Sequence, residues 1–371
     1  MPGGTGVMFH HSGYLRLGES IDFLREINDE SSFARHKFRN SINRVQTTPF
    51  GAYEFTNCYV LGNQGLILDA ERRVCWTGMS LGWEPHHVFD FMCQPGLFER
   101  TSENTVRCAR SLLQKMDASS LNQNADACFV LPMPGFRVYG HWLIDLLPRL
   151  AYGRQCVNES RIVCTSGLAP WGRALAKSFG LAPPEGPPTL SLVEGARWES
   201  ALAATTVRSE RVLDARRARR LWAHLKRALS PRSGRVKKAK HVYVSRSRMA
   251  TDRRFGNAPE IEAFFRSRGW DVIFPETLSL EVQAEIFADA EMIVGDDGSG
   301  LHNCIYAPPG TPVLVLKFNR TNLFHATLAQ ALDQPLAFLD SERIDDDSGG
   351  TYHLDLDRLE TAIEALARAK R

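Results

Sequence analysis

AEMIVGDDGSGLHNCIYAPPGTPVLVL, residues 290–316, is the stretch that decides the fold. It begins with an apolar run at 292–294, which is typical of a strand buried on both faces. A glycine-rich loop (295–300), a short predicted helix (301–306) that Pro-Pro-Gly ends, and a second apolar strand (312–316) follow. This order aims backbone N–H groups and the positive end of a helix dipole at an anion.

The loop alone is weak evidence for phosphate binding, because many α/β domains use such a turn only to reverse the chain. It lacks the dinucleotide fingerprint G-x-G-x-x-G and the Walker A lysine. Asp296 and Asp297 would also repel an anion. They must therefore face away from any phosphate or serve a sugar.

Around this loop, residues 236–345 predict a Rossmann-like domain with a parallel sheet of repeated βα units. The predicted strands are 241–245, 271–275, 292–295, 313–317 and 336–340. The predicted helices are 258–268, opened by a capping box at Asn257, then 280–288, capped by Ser279, and 322–332. Ligands of such sheets bind at the carboxyl ends of strands, where three polar groups fall: 245–248, 275–277 and 295–300. A last helix in 346–371 is predicted to pack its apolar face back on the body.

Residues 1–235 predict an N-terminal α/β domain with a β-rich start after an irregular lead-in. A hairpin turn is predicted at Gln64-Gly65, between apolar runs. Further strands are predicted at 73–76, 127–132, 161–165 and 189–193, and helices at 102–116, 168–180 and 212–229. The last helix is strongly basic and leads into the linker 230–240. Such a run is more often a solvated helix face than a nucleic-acid or membrane site.

YGHWLIDLLPRLAYGR (139–154) is the second informative stretch. A helix here places His141, Asp145 and Arg149 on one polar stripe of an otherwise apolar surface. Pro148 should kink that helix near Ile144, whose carbonyl its ring would crowd. Two interpretations stay open: a catalytic role for His141 and Asp145, or an Asp145 that pairs with Arg149 or with a backbone group beside a satisfied core histidine.

Composition narrows the class of protein. The 371 residues suit two domains, and 43% hydrophobic with 23% charged residues is typical of a globular chain. The net charge of +3 forces no nucleic-acid partner. The chain has no apolar run of membrane-spanning length and no signal-peptide pattern, so a cytoplasmic location is expected. Its eight cysteines form no C-x-x-C pair, which argues against a zinc site or a disulfide framework.

Three blocks resemble glycosyltransferase family 61, whose bacterial members include capsular polysaccharide biosynthesis proteins. They are HWLIDLLPRL (141–150), VSRSRMATDRRFGNAPEIEAFF (244–265) and FPETLSLEVQAEIFADAEMIVGDDGSGLHNCIYAPPG (274–310). The chain departs from the family in two places. Asp297 opens the loop where eukaryotic members have the histidine of H-G-A-G, so no histidine role carries over, and Tyr306 replaces the usual phenylalanine.

The resemblance implies a GT-B-like architecture of two Rossmann-like domains with parallel sheets facing a cleft. It also implies inverting transfer of a hexosyl, pentosyl or N-acetylhexosaminyl group from a nucleoside-diphosphate sugar, most simply a UDP-sugar. Inversion requires a base on the acceptor hydroxyl and stabilisation of the departing diphosphate. The expected base is Asp145, with His141 as the alternative base or as its orienting partner. The expected donor-binding residues are Arg246, Arg248, Arg253, Arg254, Glu276, Gly298, Ser299, Gly300 and Asn303.

The scheme requires no metal ion or other cofactor, and the Asp345–Asp347 run is interpreted as a surface turn. The expected acceptor is a glycan or a lipid-linked glycan of capsule, exopolysaccharide or surface-glycan synthesis. Nucleic acid is not an expected partner, while peripheral association with the inner face of the membrane and homodimerisation stay open. Two competing hypotheses are a non-catalytic nucleotide- or glycan-binding member of the fold and an NAD-dependent oxidoreductase, which the missing fingerprint disfavours.

Overall fold

A computed structural model shows that the chain divides into two compact units. The first comprises Met1–Tyr14 and Gln46–Glu210, and the second comprises Leu15–Val45 and Arg211–Arg371. The structure describes residues 14–15, 45–46, 52–61, 66–68, 98–102, 105–108, 122–130, 138–149, 151, 162–163, 170–178, 195–204, 208–209, 212–213, 215–229, 240–249, 253–318, 324–344 and 351–369. The strands predicted at 73–76 and 189–193, most of the linker 230–240 and Asp345–Asp347 lie outside them. The domain bounds inferred from the sequence stay a prediction.

The first half of the chain is rich in strands. These are β1 (Tyr14–Leu15), β2 (Val45–Gln46), β3 (Ala52–Leu61), β4 (Leu66–Leu68), β5 (Phe98–Ser102), β6 (Thr105–Cys108), β7 (Asn122–Val130), β8 (Ile162–Val163), β9 (Gly195–Ala204), β10 (Arg208–Ser209) and β11 (Val212–Leu213). The helices among the described residues of this half are α1 and α2 (Pro170–Ser178). Helix α1 begins at Tyr139–His141, includes a π-helical turn at Trp142–Leu146 and continues over 147–149. The hairpin predicted around Gln64-Gly65 is confirmed by the antiparallel pairing of β3 with β4.

The main sheet of the first unit has the strand order β4-β3-β9-β7-β8. Only β7 pairs in parallel, with β8 and β9, whereas β3 pairs antiparallel with β4 and β9. The expected parallel sheet is therefore a mixed one in this unit. β9 was not predicted, because its sequence GARWESALAA shows no strict alternation and obtains its strand conformation from pairing on both sides.

The helix predicted at 102–116 is wrong over its first half. β5 and β6 form an antiparallel hairpin across this stretch, with Glu99 opposite Arg107 and Arg100 opposite Val106. Thr105 and Val106 are β-branched and fit a pleated strand better than a helix. Residues 109–116 lie outside the described part of the chain.

The second unit is an alternation of helices and strands. In order it contains α3 (Ala215–Leu229), β12 (His241–Val244), α4 (Ala258–Ser267), β13 (Asp271–Ile273), a 3-10 turn (Pro275–Thr277), α5 (Leu280–Ala288), β14 (Met292–Asp296), a 3-10 helix (Ser299–Tyr306), β15 (Val313–Lys317), α6 (Phe324–Ala331), β16 (Leu336–Asp340), β17 (Glu342–Ile344), β18 (Thr351–His353) and α7 (Leu356–Ala369). All five strands predicted for this domain are present. The glycine loop begins a 3-10 helix, which has the position expected for the short helix at 301–306.

β13-β12-β14-β15-β16 is the order of the second sheet, and every neighbouring pair is parallel. The chain moves outward from β12 to β13, returns, and continues on the other side with β14. This is the doubly wound order 2-1-3-4-5, in which ligands bind where the winding direction reverses. The reversal lies between the carboxyl ends of β12 and β14. The parallel α/β sheet predicted for the second domain is thus confirmed, and its strand order is compatible with a Rossmann-like fold.

Both faces of this sheet are buried, as continuous apolar strands predict. Tyr243, Val294 and Leu314 point to one side, where they share a buried cluster with Phe265 of α4 and Leu359 of α7. The residues between them on β14 and β15 are buried as well. The last helix belongs to this cluster through Leu359, and α7 contacts β15 and β16.

The two predicted helix caps have different outcomes. Ser279 caps α5 as predicted, since its hydroxyl accepts a hydrogen bond from the Val282 N–H at 3.4 Å. The capping box at Asn257 is wrong. The Asn257 amide instead binds the backbone of Leu354, donating to its carbonyl at 2.9 Å and accepting from its N–H at 3.1 Å. It thereby ties the segment before α7 to the start of α4.

Candidate functional site

The site at the reversal point is built from three strand ends. Residues 245–248 follow β12, the 3-10 turn Pro275–Thr277 follows β13, and the loop 297–300 follows β14. These are the three polar groups that the sequence places at carboxyl ends. Pairing of β12 with both β13 and β14 brings them to one edge of the sheet.

The backbone around Arg246 is held from several elements. The Arg246 N–H donates to Asp296 Oδ2 of β14 at 2.8 Å, and the Ser245 N–H donates to the Ile273 carbonyl of β13 at 3.0 Å. The hydroxyls of Ser245 and Ser247 donate to Glu262 Oε1 of α4 at 3.1 and 2.6 Å. The turn that carries Arg246 is therefore rigidly positioned before any ligand arrives.

The guanidinium of Arg246 is the exception in this network. The residue is only 6% exposed, and its Nε is buried without a hydrogen-bond partner. Burial and the neighbouring charge of Arg253 lower the pKa of Arg246, whereas Asp296, Asp297 and Glu276 raise it. Burying a cation without a hydrogen-bonded partner is costly. An anionic ligand would supply the missing acceptor oxygens.

Gly298 makes the space for this guanidinium. Its backbone is extended, so its φ requires no glycine, but a Cβ added there would collide with Arg246 Nη1 and lie 2.8 Å from Cζ. Gly300 is also close-packed, since an added Cβ would lie 3.2 Å from Cγ of Pro275. The glycines of the loop therefore allow close approach of neighbouring side chains.

The 3-10 helix begins beside Arg246. Its first internal hydrogen bond runs from the Leu301 N–H to the Gly298 carbonyl at 3.1 Å. The N–H groups of Ser299 and Gly300 precede that bond and have no acceptor within the helix. They are therefore suited to bind an anion that also contacts Arg246.

Asn303 has a different position from the expected donor contact. It is fully buried, and its Nδ2 donates to Gln283 Oε1 at 2.7 Å. Gln283 in turn donates to the carbonyls of Pro275 and Leu278 at 2.8 and 3.0 Å. Asn303 thus fixes the turn that carries Glu276 and does not face solvent.

The other four expected donor-binding residues differ in their surroundings. Arg248 is exposed, and its guanidinium lies 3.8 Å over the ring of Phe274. Glu276 is exposed on its turn, Arg253 is half-buried and close enough to repel Arg246, and Arg254 is exposed. Of these four, Arg253 and Glu276 act on Arg246 electrostatically.

Both loop aspartates face away from the loop surface, as one of the two expectations required. Asp296 accepts a hydrogen bond from the Tyr243 hydroxyl at 2.8 Å. Asp297 Oδ1 lies 2.9 Å from Nε2 of His325, and both side chains are buried. The ring of His302 lies beside His325, with centroids 5.2 Å apart. Sequence reasoning missed Tyr243 and His325, since no local spacing connects them to the loop.

The polar stripe of α1 belongs to the first unit. His141 Nδ1 lies 2.8 Å from Asp145 Oδ2, so the expected pair is present. The Asp145 side chain is 1% exposed and the His141 side chain is 28% exposed. The histidine is therefore the member of the pair that is open to solvent. Its Nδ1 contacts the carboxylate, and Nε2 is the second nitrogen of the ring.

The predicted perturbation by Pro148 is visible in the backbone of α1. Trp142–Leu146 form a π-helical turn, in which the Leu147 N–H donates to the Trp142 carbonyl. The wider turn provides room for the proline ring that follows. The helix widens near Ile144 and then continues over 147–149. Arg149 is fully buried there.

Residues 139–314 match the family model described as Glycosyltransferase 61. The match runs from the start of α1 into β15 and includes both the His141–Asp145 pair and the Arg246 turn. This region belongs to glycosyltransferase family 61. Membership of the family implies glycosyltransferase activity.

No curated protein matches the chain. Among solved structures, the chain is similar to a flavo di-iron protein mutant from Thermotoga maritima, with 14% identity and a TM-score of 0.24. The likeness covers 47% of this chain and 42% of that one, less than half of its length. A likeness with this identity and TM-score indicates nothing about the function of residues 139–314.

Within the described residues, no group of three or more histidine, cysteine, aspartate or glutamate side chains is placed to hold a metal ion. In that same part of the chain, no helix is long and apolar enough to cross a membrane. The basic helix α3 buries Ala218, Trp222 and Leu225 and leaves Arg220 and Arg227 exposed.

Proposed function

We propose that this family 61 chain is an inverting transferase that uses a nucleoside-diphosphate sugar, with a UDP-sugar as the first candidate. The observation that carries the proposal is the buried guanidinium of Arg246 without a hydrogen-bond partner at Nε, at the winding reversal of a parallel sheet. A diphosphate bound there would receive charge-assisted hydrogen bonds from Arg246 and N–H groups from Ser299 and Gly300. Glu276, exposed on the adjacent turn, is proposed to accept ribose hydroxyls.

We assign the base to His141 and the orienting role to Asp145. The hydrogen bond from Nδ1 to Asp145 leaves Nε2 as the nitrogen that accepts the proton of the acceptor hydroxyl. The acceptor oxygen then attacks the anomeric carbon, and the bond from that carbon to the diphosphate oxygen breaks. The proton ends on His141, and the diphosphate leaves with its electron pair as an anion.

The acceptor is proposed to be a glycan or lipid-linked glycan in capsule, exopolysaccharide or surface-glycan synthesis. A cytoplasmic location at the inner face of the membrane suits such an acceptor. No step in this scheme is routed through a metal ion, because Arg246 and backbone N–H groups supply the positive charge that the leaving group requires.

Nucleotide binding tests whether the buried guanidinium of Arg246 binds a diphosphate. The melting temperature of the chain is measured with UDP, GDP, CMP, UDP-glucose and NAD. Stabilisation by UDP, GDP, CMP or UDP-glucose indicates a transferase, and stabilisation by NAD indicates an oxidoreductase. A ligand at 100 times its dissociation constant adds about 2.7 kcal/mol to the free energy of unfolding. We expect Arg246→Ala to weaken nucleotide binding by about 10- to 100-fold, the equivalent of one charge-assisted contact. Arg220→Ala on α3 is the matched control for loss of one positive charge. Equal affinity in both variants would remove the diphosphate role of Arg246.

A non-catalytic member of the fold is the second candidate, and the burial of Asp145 is the observation that favours it. Both candidates predict nucleotide binding. They differ in turnover, so hydrolysis or transfer of a bound UDP-sugar by the wild-type chain, absent in His141→Gln, would establish the enzyme. Tight nucleotide binding with no turnover on any acceptor would favour the binding protein.

A further inference from the structure

Asp296 occupies a position that the proposed mechanism does not use. It is the last residue of β14 and is 3% exposed. Its Oδ1 accepts the Tyr243 hydroxyl and its Oδ2 accepts the Arg246 N–H, both at 2.8 Å. The two carboxylate oxygens thus bind a side chain of β12 and the backbone of the arginine that follows β12.

This arrangement controls where Arg246 points. The Arg246 backbone is held to Asp296, while its guanidinium crosses the space left by Gly298. Any change of the Asp296 side chain that releases the Arg246 N–H would let the turn 245–248 move. Asp296 therefore acts on the ligand site through Arg246.

Charge adds to the geometry. Asp296 attracts Arg246, so the carboxylate offsets part of the positive charge that a diphosphate would meet. Burial raises the pKa of Asp296 to about 7, against the lowering effects of the Arg246 N–H, the Tyr243 hydroxyl and the Arg246 charge, while Glu262 raises it further. Burial also raises the pKa of Tyr243, which therefore stays a proton donor. The other charges around Arg246 are Arg253, Asp297 and Glu276.

We propose that Asp296 is the positioning residue of the diphosphate site, and that it takes up a proton when a sugar-linked diphosphate binds to Arg246. This inference rests on the proposed function and adds to it a coupling between proton uptake by Asp296 and binding of the diphosphate. A diphosphate brings negative charge next to the Asp296 carboxylate, and like charge disfavours the ionised form. Binding thus favours protonated Asp296, and protonation in turn removes the part of the negative charge around Arg246 that Asp296 supplies.

The sign of the pH dependence follows from this linkage. Below pH 7 the carboxyl is already protonated, so binding needs no proton uptake and affinity is at its highest. As pH rises through about 7, each binding event must take up a proton, and affinity falls by up to tenfold per pH unit. A nucleoside-diphosphate sugar is the correct probe, because its diphosphate lacks the terminal ionisation near pH 6 that free nucleoside diphosphates have.

The experiment is calorimetry with UDP-glucose from pH 6 to pH 8.5, in pairs of buffers that differ in ionisation enthalpy. We expect the wild-type chain to take up a proton on binding near pH 8. Asp296→Asn keeps the shape and an acceptor for the Arg246 N–H, so we expect it to bind UDP-glucose with neither proton uptake nor the pH slope. Asp296→Ala loses the acceptor and should bind about tenfold more weakly at every pH.

Matched variants identify the source of the proton. Glu260→Gln removes an exposed carboxylate of α4 outside the site and should leave proton uptake unchanged. Binding without proton uptake in the wild type, or uptake that persists in Asp296→Asn, would overturn the inference and leave the proposed function intact. Absence of UDP-glucose binding at every pH in a folded wild-type chain would overturn the proposed donor itself. Circular dichroism of each variant separates loss of binding from loss of fold.

Discussion

Two histidine–aspartate pairs among the described residues have nearly the same geometry and different surroundings. His141 and Asp145 lie 2.8 Å apart in the first unit, and His325 and Asp297 lie 2.9 Å apart in the second. The His141 side chain is 28% exposed, whereas that of His325 is 2% exposed. A base must reach its substrate, so only the first pair has the access that proton transfer requires. The closed pair is placed to hold the loop after β14 against α6.

The largest expected effect is a loss of turnover when the His141–Asp145 pair is changed. His141→Gln removes the proposed base, and we expect transfer to fall by about 10²- to 10⁴-fold, the usual contribution of a general base. Asp145→Asn should have an effect of the same order, because the imidazole loses the carboxylate that orients it. Both are measured as kcat at saturating UDP-sugar. Nucleotide affinity should stay within about twofold of the wild type, and a normal kcat in His141→Gln would contradict the assignment.

The closed pair should respond in stability. His325→Leu leaves Asp297 buried beside an apolar side chain, and breaking a buried pair costs about 3 kcal/mol. The measurement is the free energy of unfolding in urea. His353→Leu on the exposed strand β18 is the matched control and should change stability by less than about 0.5 kcal/mol. If His325→Leu were as stable as this control, the Asp297 contact would not hold the loop.

A third carboxylate with a tyrosine partner has the smallest expected effect when stability is compared over one pH unit. The pKa of Asp296 is about 7 in the folded chain, above the ordinary value of 3.8. Between these values the folded state keeps a proton that the unfolded state loses, so Asp296 makes stability fall as pH rises. The slope is at most about 1.4 kcal/mol per pH unit.

Asp296→Asn should remove that slope. The difference in unfolding free energy between wild type and Asp296→Asn, measured from pH 4 to pH 8, is expected to move in favour of the variant as pH rises. A difference that does not change across this range would show that Asp296 ionises in the folded state as freely as it does in the unfolded chain.

The second sheet could be predicted well because of its environment. A strand covered on both faces is apolar at every position, and the runs at 292–294 and 313–316 show this directly. The polar residues after each strand then identify the ligand edge without further information. In the first unit this signal weakens, since β9 carries tryptophan, glutamate and several alanines, and pairing decides its conformation.

The contacts that organise the site could not be predicted from local spacing. Tyr243 meets Asp296, Asp297 meets His325, and Arg246 fills the space beside Gly298, each across a long stretch of chain. Such partners are set by the order of strands in the sheet. The His141–Asp145 pair was accessible to prediction because its members lie four positions apart on one helix. Which of the two reaches solvent depends on packing.

The missing side chain at Gly298 has a consequence for variation within the family. The space it leaves is filled by the Arg246 side chain, so an arginine at position 246 requires a glycine at position 298. A descendant that replaced Gly298 with alanine would displace the arginine, and one that first exchanged Arg246 for a shorter residue would be free to accept it. Loss of Arg246 must therefore come before replacement of Gly298. Family members that have another residue at position 246 should be the ones in which position 298 also varies.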